Sequence, residues 1–327
     1  MPASSTPSSA RPKALLGVLF CVLVWGANYP ATKVAYREIS PLAYTGWRFL
    51  LAAALILAWA RRNGAPVLPP RGLRLRGLLL AMTGVGVYQL FFAVGVARTS
   101  GFAAALLNSV SPLLSLLLVA ALGQERIGRT AVAGTVVAWG GVAAFLLSAH
   151  GSADLGGLWG NVLCLVSATC WSVYSVASSR FSTRIPHATA LATTFALGTP
   201  VLLAYCLPAM VRQDYASVSL LAWAILVLSA VFPLYVSFRL WARGLAVLGV
   251  AATTRLGVLV PVVAGVSSAL WTSERFSGAK LASAALVLGG RALSRLGTPR
   301  APAVQAGAGD GRASVRGAGS ASGPGGS

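Results

Sequence analysis

The chain has 327 residues, of which 56% are hydrophobic and only 10% are charged, and its mean hydropathy is +0.75. Soluble domains carry about 25% charged residues, so this composition excludes an ordinary soluble domain and predicts a protein that crosses a membrane several times. The net charge of +20 does not indicate nucleic-acid binding, because the basic residues lie in short segments between apolar runs and no RNA-binding motif or compact basic domain is visible.

The first segment, residues 1–13, is rich in Ser, Pro and Ala, and we predict that it is disordered. An apolar run from Ala14 to Tyr36 follows it. This run could be mistaken for a secretory signal, but it has no clear small-residue cleavage site and is longer than the apolar core of such signals. We therefore predict an uncleaved signal-anchor helix.

Apolar segments of about 20 residues, the length that an α-helix needs to cross the hydrocarbon core of a bilayer, recur along the chain. A transmembrane β-barrel would instead show alternating segments of about ten residues, so we predict an all-α polytopic membrane protein. The ten predicted spans are residues 14–36, 41–60, 77–97, 99–122, 130–148, 158–178, 188–211, 218–241, 246–271 and 278–293. A Gly/Ala/Ser/Pro-rich tail, residues 297–327, is predicted to be disordered.

The chain contains an internal repeat with an ungapped offset of 149 residues. Pro112 precedes Glu125-Arg126 as Pro261 precedes Glu274-Arg275, and the glycine pairs Gly140-Gly141 and Gly289-Gly290 repeat at the same offset. This pattern predicts two five-helix units, residues 14–148 and 158–296. Five is an odd number of crossings, so the second unit must enter the membrane inverted relative to the first.

The distribution of Lys and Arg predicts the orientation of the chain. With the N-terminus inside, 18 of the 26 basic residues fall in cytoplasmic segments, six fall in outer segments, and Arg48 and Arg255 lie within spans. This excess predicts that both termini are cytoplasmic. Inverted repeats are typical of alternating-access transporters, whose substrate site lies between the repeats near the middle of the membrane.

At this stage a family resemblance is visible. The sequence Trp25-Gly26-Ala27-Asn28-Tyr29, Pro41, Arg48-Phe49 and the two Pro-to-Glu-Arg units resemble the EamA-like exporters of the drug/metabolite transporter superfamily. The resemblance covers about residues 14–296 and implies ten helices around a central cavity, lined mainly by the first, third and fourth helices of each half. Two positions depart from the pattern: Thr193 lies opposite Arg48, and Arg255 lies in the ninth span.

Polar and aromatic residues within the spans are the candidates for binding a solute in that cavity. Trp25 and Asn28 share a helical face, as do Trp171 and Tyr174 at an offset of 146 residues from the first tryptophan. The full set of predicted substrate-binding residues is Trp25, Asn28, Tyr29, Arg48, Tyr88, Gln89, Asn108, Trp171, Tyr174, Tyr235, Arg239 and Arg255.

Structural roles are the alternative for these residues. Trp and Tyr often mark the membrane interface, and Ser111, Ser115 or Asn108 can join helices by hydrogen bonds. Pro30, Pro112, Pro233 and Pro261 are predicted to kink their helices. Glu125-Arg126 and Glu274-Arg275 are interpreted as turn or cap residues rather than as a site.

All six acidic residues fall outside the predicted spans, so the sequence does not support proton exchange through a carboxylate within the membrane. No metal-ligand cluster, catalytic triad or phosphate-binding loop is visible, and we predict neither a cofactor, nor a metal site, nor an enzyme. Cys21, Cys164, Cys170 and Cys206 are predicted to be small apolar residues of the spans.

The sequence therefore predicts a secondary transporter of the bacterial inner membrane that exports a small polar metabolite, such as an amino acid or a related anionic or zwitterionic solute. Uptake, drug efflux by a permease of the same superfamily and a scaffold without transport remain the alternatives. The predicted partners are the small-molecule solute and membrane lipid, with a homodimer as a further possibility and no nucleic acid.

Overall fold

The computed structural model describes residues 10–123, 128–149, 155–182 and 184–296. Within these residues the chain is helical, with turns between the helices and no strand. The helices are α1 (Ala10–Ala35), α2 (Pro41–Arg62), α3 (Arg74–Ala81), α4 (Val87–Arg98), α5 (Gly101–Asn108), α6 (Ser111–Ala121), α7 (Arg129–Ala149), α8 (Leu155–Ser182), α9 (His187–Arg212), α10 (Leu220–Ser229), α11 (Ser237–Leu248), α12 (Val250–Leu256), α13 (Val260–Trp271) and α14 (Gly278–Leu296).

Eight helical segments in the described part of the chain are long and apolar enough to cross a membrane. They are Arg11–Ala35, Pro41–Arg62, Arg71–Arg98, Gly101–Ala121, Arg129–Leu147, Gly157–Ser178, His187–Arg212 and Leu220–Leu245, and they correspond to the first eight predicted spans. The segment Gly257–Trp271 is apolar but shorter, and α14 is not among the eight. The chain is therefore an all-α, multi-pass membrane protein, and the count of ten crossing helices stays a prediction.

Some predicted boundaries differ from the structure. Helix α1 begins at Ala10, inside the segment predicted to be disordered, because Pro12 is tolerated in the first turn of a helix. The predicted ninth span begins at residue 246, whereas α11 continues to Leu248. The next residue, Gly249, ends the helix with a φ of 82°, a conformation that favours glycine. The rest of both predicted tails and the loop that holds Glu125 and Arg126 lie outside the described residues.

Both halves interrupt their third and fourth long helical segments at corresponding places. In the third segment of each half a π-helical turn occurs, Met82–Gly86 between α3 and α4 and Ala230–Val236 between α10 and α11. In the fourth segment α5 ends before Pro112 and a 3-10 turn, Gly257–Leu259, precedes Pro261. Proline is accommodated in the first turn of α6 and of α13, so the sequence-predicted kinks at these two prolines are helix breaks.

The pairing of helices fits two repeats. Helix α7 packs on α14 and α2 on α9, which are pairs of equivalent helices. Helix α1 packs on α11 and α13, and its equivalent in the second half, α8, packs on α4 and α6. Exchanging the two halves thus reproduces the packing. In this arrangement α1 packs on α11 and α4 packs on α8 at the centre.

The repeated glycine pairs explain the contact between α7 and α14. A Cβ atom at Gly141 would lie 2.7 Å from the backbone nitrogen of Val287, and one at Gly290 would lie 2.6 Å from the carbonyl oxygen of Gly134. A Cβ atom at Gly140 or Gly289 would meet nothing within 4 Å. One glycine of each pair therefore allows the two helices to approach closely, and its neighbour does not.

Candidate functional site

Aromatic side chains from α1, α4, α8 and α11 meet at the centre of the protein. Tyr88 lies 5.0 Å from Trp171 between ring centroids, and Trp171 lies 5.2 Å from Tyr174 and 6.4 Å from Phe238. Phe92 joins Tyr88 to Tyr29, at 5.8 and 5.7 Å, and Phe238 reaches Trp25 at 6.5 Å. We call these residues the central aromatic cluster: Trp25, Tyr29, Tyr88, Phe92, Trp171, Tyr174 and Phe238. Their ring faces can contact apolar groups and cations of a solute.

Trp25 also supports the π-helical turn of the second half. The backbone N–H of Ser237 donates to the carbonyl oxygen of Phe232 across this turn, and the carbonyl of Pro233 loses its helical partner. The indole Nε1 of Trp25 donates a hydrogen bond of 2.9 Å to that carbonyl. Trp25 therefore satisfies a backbone group that the turn sets free, and it fixes α1 to the turn.

Arg48 of α2 is a buried cation beside this cluster. Its side chain is 4% exposed, its Nε donates to the carbonyl oxygen of Ser229 at 3.3 Å, and its guanidinium lies 5.8 Å from the ring centre of Phe49. Arg48 lies within electrostatic range of the hydroxyl groups of Tyr29, Tyr36 and Tyr88. Its Nη1 and Nη2 atoms have no hydrogen-bond partner among the described residues, so they are available to an anionic group.

A cavity of about 600 Å³ opens at the end of the molecule where α1 and α4 end and α5 begins. We call this cavity the vestibule. It is lined by Lys33, Tyr36, Arg37, Pro41, Ala97, Thr99, Ser100, Gly101, Thr272 and Glu274. Tyr36, which lines the vestibule, lies within electrostatic range of Arg48, as do Tyr29 and Tyr88 of the central aromatic cluster.

The vestibule contains charges of both signs. Lys33 Nζ donates to the carbonyl oxygen of Ala97 at 3.0 Å and lies within electrostatic range of Glu274 and Arg37. Glu274 accepts a long hydrogen bond of 3.4 Å from the backbone N–H of Phe102, in the first turn of α5. The other carboxylate oxygen, Oε1, is buried and has no hydrogen-bond partner among the described residues. Glu274 therefore brings a negative charge to the wall of the vestibule.

The loop between α1 and α2 closes the same end of the molecule beside the vestibule. Glu38 accepts hydrogen bonds from the backbone N–H (2.6 Å) and the hydroxyl (2.9 Å) of Ser219, the residue that caps α10. These bonds hold the pKa of Glu38 below its ordinary value of 4.5, because they stabilise the charged carboxylate. Gln213, at the end of α9, binds the backbone of Ser40 and Glu38. The loop therefore ties the two halves together.

Five of the predicted site residues, Trp25, Tyr29, Tyr88, Trp171 and Tyr174, meet in the central aromatic cluster. Asn108 instead joins α5 to α8, since its Oδ1 accepts a hydrogen bond of 2.9 Å from Ser167. Asn28 faces a mostly apolar lateral groove of about 530 Å³ between α1 and α10. Gln89 is 5% exposed, and its buried Oε1 has no hydrogen-bond partner among the described residues.

Tyr235, Arg239 and Arg255 also lie outside the central aromatic cluster. Arg239 is exposed, bonds the hydroxyl of Tyr235 at 3.0 Å and lies 5.1 Å above the ring of Trp59 near the end of α2. Arg255 is exposed on α12 and lies within electrostatic range of Arg295 on α14. Both arginines are long side chains at the surface of the helix bundle, a position that lets them reach toward the membrane interface.

Sequence reasoning missed several residues of the site. Phe92 lies one helical turn after Tyr88, so the helical period alone would have placed it on the same face. Phe238 lies 150 residues after Tyr88, the offset at which the helices following the two π-helical turns begin. Lys33 lies near the end of the first predicted span and Glu274 lies outside the spans, and their meeting in the vestibule depends on the contact of α1 with α13.

Comparison with known proteins adds a family to this geometry. The model of the EamA-like transporter family matches residues 12–147 and 158–296 of the chain. A protein whose crystal structure is known has the same fold, with a TM-score of 0.61 and 25% sequence identity, over 89% of this chain and 100% of the other.

Two curated relatives carry functional names. The "Probable terminal-alkyne amino-acid exporter" of Streptantibioticus cattleyicolor is 28% identical over 263 residues, which are 80% of this chain and 86% of the relative. The "Probable amino-acid metabolite efflux pump" of Salmonella typhimurium is 26% identical over 282 residues, which are 83% of this chain and 91% of the relative.

Proposed function

Because this chain belongs to the EamA-like transporter family, we propose that it exports a small zwitterionic solute of the amino-acid type by alternating access. The family and the names of the relatives make the protein a transporter rather than an enzyme. The choice of solute rests on the chemistry of the vestibule and the central aromatic cluster, and the names of the two relatives favour the same class.

The observation that carries the proposal is the pair of opposite charges in one cavity. Lys33 and Arg37 offer cations to a carboxylate, and Glu274 offers a carboxylate to an ammonium group. A solute with only one of these groups would leave part of the vestibule uncompensated, and leaving a buried polar group unpaired is the main source of discrimination in such sites.

Further along the path the carboxylate would meet Arg48, whose Nη atoms have no described partner, while the aromatic rings contact the side chain of the solute. We propose no such role for Arg255, because this arginine is exposed on α12 and lies beside Arg295. Export is favoured over uptake by the names of the two relatives.

We place the protein in the inner membrane with both termini in the cytoplasm, because Lys and Arg concentrate in the segments on that side. The vestibule then opens to the outside, as the exit of an exporter. Reporter fusions after residue 296 should be active in the cytoplasm. A periplasmic signal from such a fusion would contradict this orientation.

Transport by purified protein in proteoliposomes tests the proposal. We expect exchange of a labelled amino acid, and weaker exchange of its deaminated acid and its decarboxylated amine. Glu274→Gln should raise KM for the amino acid and the amine by about tenfold, since a hydrogen bond to a charged group contributes about 1.5 kcal/mol, and should leave KM for the deaminated acid unchanged. Asp214→Asn, in an exposed turn of the same end that does not line the vestibule, is the matched control.

Other results would favour the alternatives. Transport of apolar cations but not of zwitterions would indicate a drug-efflux permease, and the absence of flux for every solute would indicate a scaffold. Net movement from the vestibule side to the opposite side, under gradients of equal size, would indicate uptake. An equal loss of all solutes in Glu274→Gln would show that Glu274 supports the fold rather than selecting the solute.

A further inference from the structure

A second cavity lies at the end of the molecule opposite the vestibule, between α6 and α14. Its volume is about 210 Å³, and its walls are Pro112, Leu113, Ser115, Leu116 and Val119 of α6 and Arg291, Ser294 and Arg295 of α14. It shares no residue with the vestibule or the central aromatic cluster. We call it the arginine pocket.

Arg291 is the residue that indicates a ligand for this pocket. Arg291 is 4% exposed and lines the pocket, and its Nε and Nη1 atoms are buried without a hydrogen-bond partner among the described residues. A guanidinium is always charged and carries five N–H donors. Burying such a charge without a partner is costly, so an acceptor for these donors is missing from the described protein.

The described neighbours of Arg291 do not supply that acceptor. Arg295, one turn further along α14, lines the same pocket, and Arg255 of α12 lies within electrostatic range of Arg295. The acidic residues of the described chain, Glu38, Asp214 and Glu274, lie in the connections α1–α2, α9–α10 and α13–α14, all at the vestibule end. The pocket is therefore strongly positive, and it favours an anion that comes from outside the described residues.

The position of the pocket indicates the kind of anion. Arg291 lies five residues before Leu296, the last residue of α14, which is about 7.5 Å along the helix axis. Arg291 therefore lies within two helical turns of the end of α14, and the apolar walls Leu113, Leu116 and Val119 continue from the arginines along α6. Basic pockets between membrane helices are known to hold phosphate-bearing headgroups.

We propose that the arginine pocket binds the phosphate of an anionic phospholipid, with Arg291 as the principal donor and Ser115 and Ser294 beside it. The guanidinium matches a phosphate because it can donate two parallel hydrogen bonds to two of its oxygens. The acyl chains of the lipid extend along the apolar wall of α6. The bound lipid then supplies a counter-charge for Arg291.

Native mass spectrometry and thermal unfolding of the full-length protein test this site. In neutral detergent, the wild type should retain one tightly bound phosphatidylglycerol in preference to phosphatidylcholine, and phosphatidylglycerol should raise its melting temperature. Arg291→Gln should weaken retention of that lipid at least tenfold and lose most of the rise in melting temperature. Arg212→Gln, an exposed arginine at the end of α9 on the vestibule side, is the matched control and should behave as the wild type.

A measurement in phosphatidylcholine alone separates a lipid partner from a protein partner. There Arg291→Gln should be at least as stable as the wild type, because the variant removes a buried charge that has no partner. If a protein carboxylate compensated Arg291, with Glu125 the nearest in sequence after α6, the variant would be less stable in every lipid, and the proposal would fail. Ser115→Leu fills the pocket without removing the charge, and it should also weaken retention of phosphatidylglycerol.

The source of the phosphate is decided by a third arm. Inorganic phosphate at millimolar concentration should neither displace the lipid nor raise the melting temperature. If inorganic phosphate alone reproduces the full effect, the pocket binds a soluble anion and the assignment to a lipid is wrong. Equal retention of phosphatidylglycerol by the wild type and by Arg291→Gln would likewise overturn the proposal. None of these outcomes depends on which solute the protein transports.

Discussion

Replacing Arg48 by glutamine is the sharpest test of how the solute is held at the centre. The guanidinium is 4% exposed and its Nη atoms have no described partner, so a carboxylate of the solute can form a charged hydrogen bond with it. Such a bond contributes about 1.5 to 3 kcal/mol, and its loss in Arg48→Gln should raise KM for a zwitterionic solute roughly 10- to 150-fold.

The contacts of Arg48 with the protein are too weak to make the variant unfold. The hydrogen bond to the carbonyl oxygen of Ser229 is 3.3 Å long, beyond the usual range for N–H donors, and its loss should cost less than about 1 kcal/mol. The contact with the ring of Phe49, at 5.8 Å, is near the limit of a cation–π interaction and contributes about 0.5 to 1 kcal/mol. Folded Arg48→Gln protein should therefore reach the membrane.

Counterflow in proteoliposomes measures the effect, with an amino acid and its decarboxylated amine as paired solutes. Arg48→Gln should impair exchange of the amino acid and leave exchange of the amine unchanged. Arg48→Lys keeps the charge but not the fork of donors, and should recover part of the loss. If both variants lose folded protein, or if both solutes are affected equally, Arg48 stabilises the packing of α2 on α10 and does not bind the carboxylate of the solute.

Three further predictions follow from single contacts. Trp25→Phe leaves the carbonyl of Pro233 without its indole donor, and we expect the free energy of unfolding, measured by thermal unfolding, to fall by about 1 to 3 kcal/mol. Gly290→Ala forces a Cβ against backbone of α7 and should lower stability by about 1 to 3 kcal/mol, whereas Gly289→Ala, which meets open space, should not. The charged carboxylate of Glu38 should stabilise the fold fully above pH 4.5, and this stabilisation should be lost as the pH falls through the lowered pKa of Glu38 in the folded protein. The difference in melting temperature between the wild type and Glu38→Gln should therefore vanish in acid. A difference that is constant at all pH values would contradict this prediction.

The membrane class and the repeat could be predicted because they depend on the lengths and the periodic content of apolar segments. Eight of the predicted spans correspond to helices long enough to cross a membrane, and one glycine of each repeated pair lies in the α7–α14 contact. The helix breaks before Pro112 and Pro261 also have a local cause, because proline lacks the N–H that a continuous helix needs.

The π-helical turns could not be predicted, and this limited the prediction of the site. A π turn shifts every later side chain around the helix, and the turn of the second half, Ala230–Val236, has seven residues against five in Met82–Gly86. The residue equivalent to Tyr88 is therefore Phe238, which contacts Trp25 as Tyr88 contacts Trp171. Sequence reasoning chose Tyr235 instead, whose hydroxyl bonds Arg239.

The same shift affects the polar residues. Several polar side chains near the helix breaks and the π-helical turn of the second half bond the backbone there: Ser111 Oγ donates to the carbonyl of Asn108 (2.6 Å), Ser172 donates to that of Ser111 (2.8 Å), and Trp25 donates to that of Pro233 (2.9 Å). In a membrane these groups have no water to bond, so they are committed to the fold. In the central aromatic cluster and the vestibule, the groups that a solute can contact include the aromatic faces, the Nη atoms of Arg48 and the charges of the vestibule. The site thus combines a few charged groups of both signs with large aromatic surfaces. This combination suits solutes that share a zwitterionic head group and differ in their side chains. We therefore expect this transporter to be selective for the head group and tolerant of the side chain.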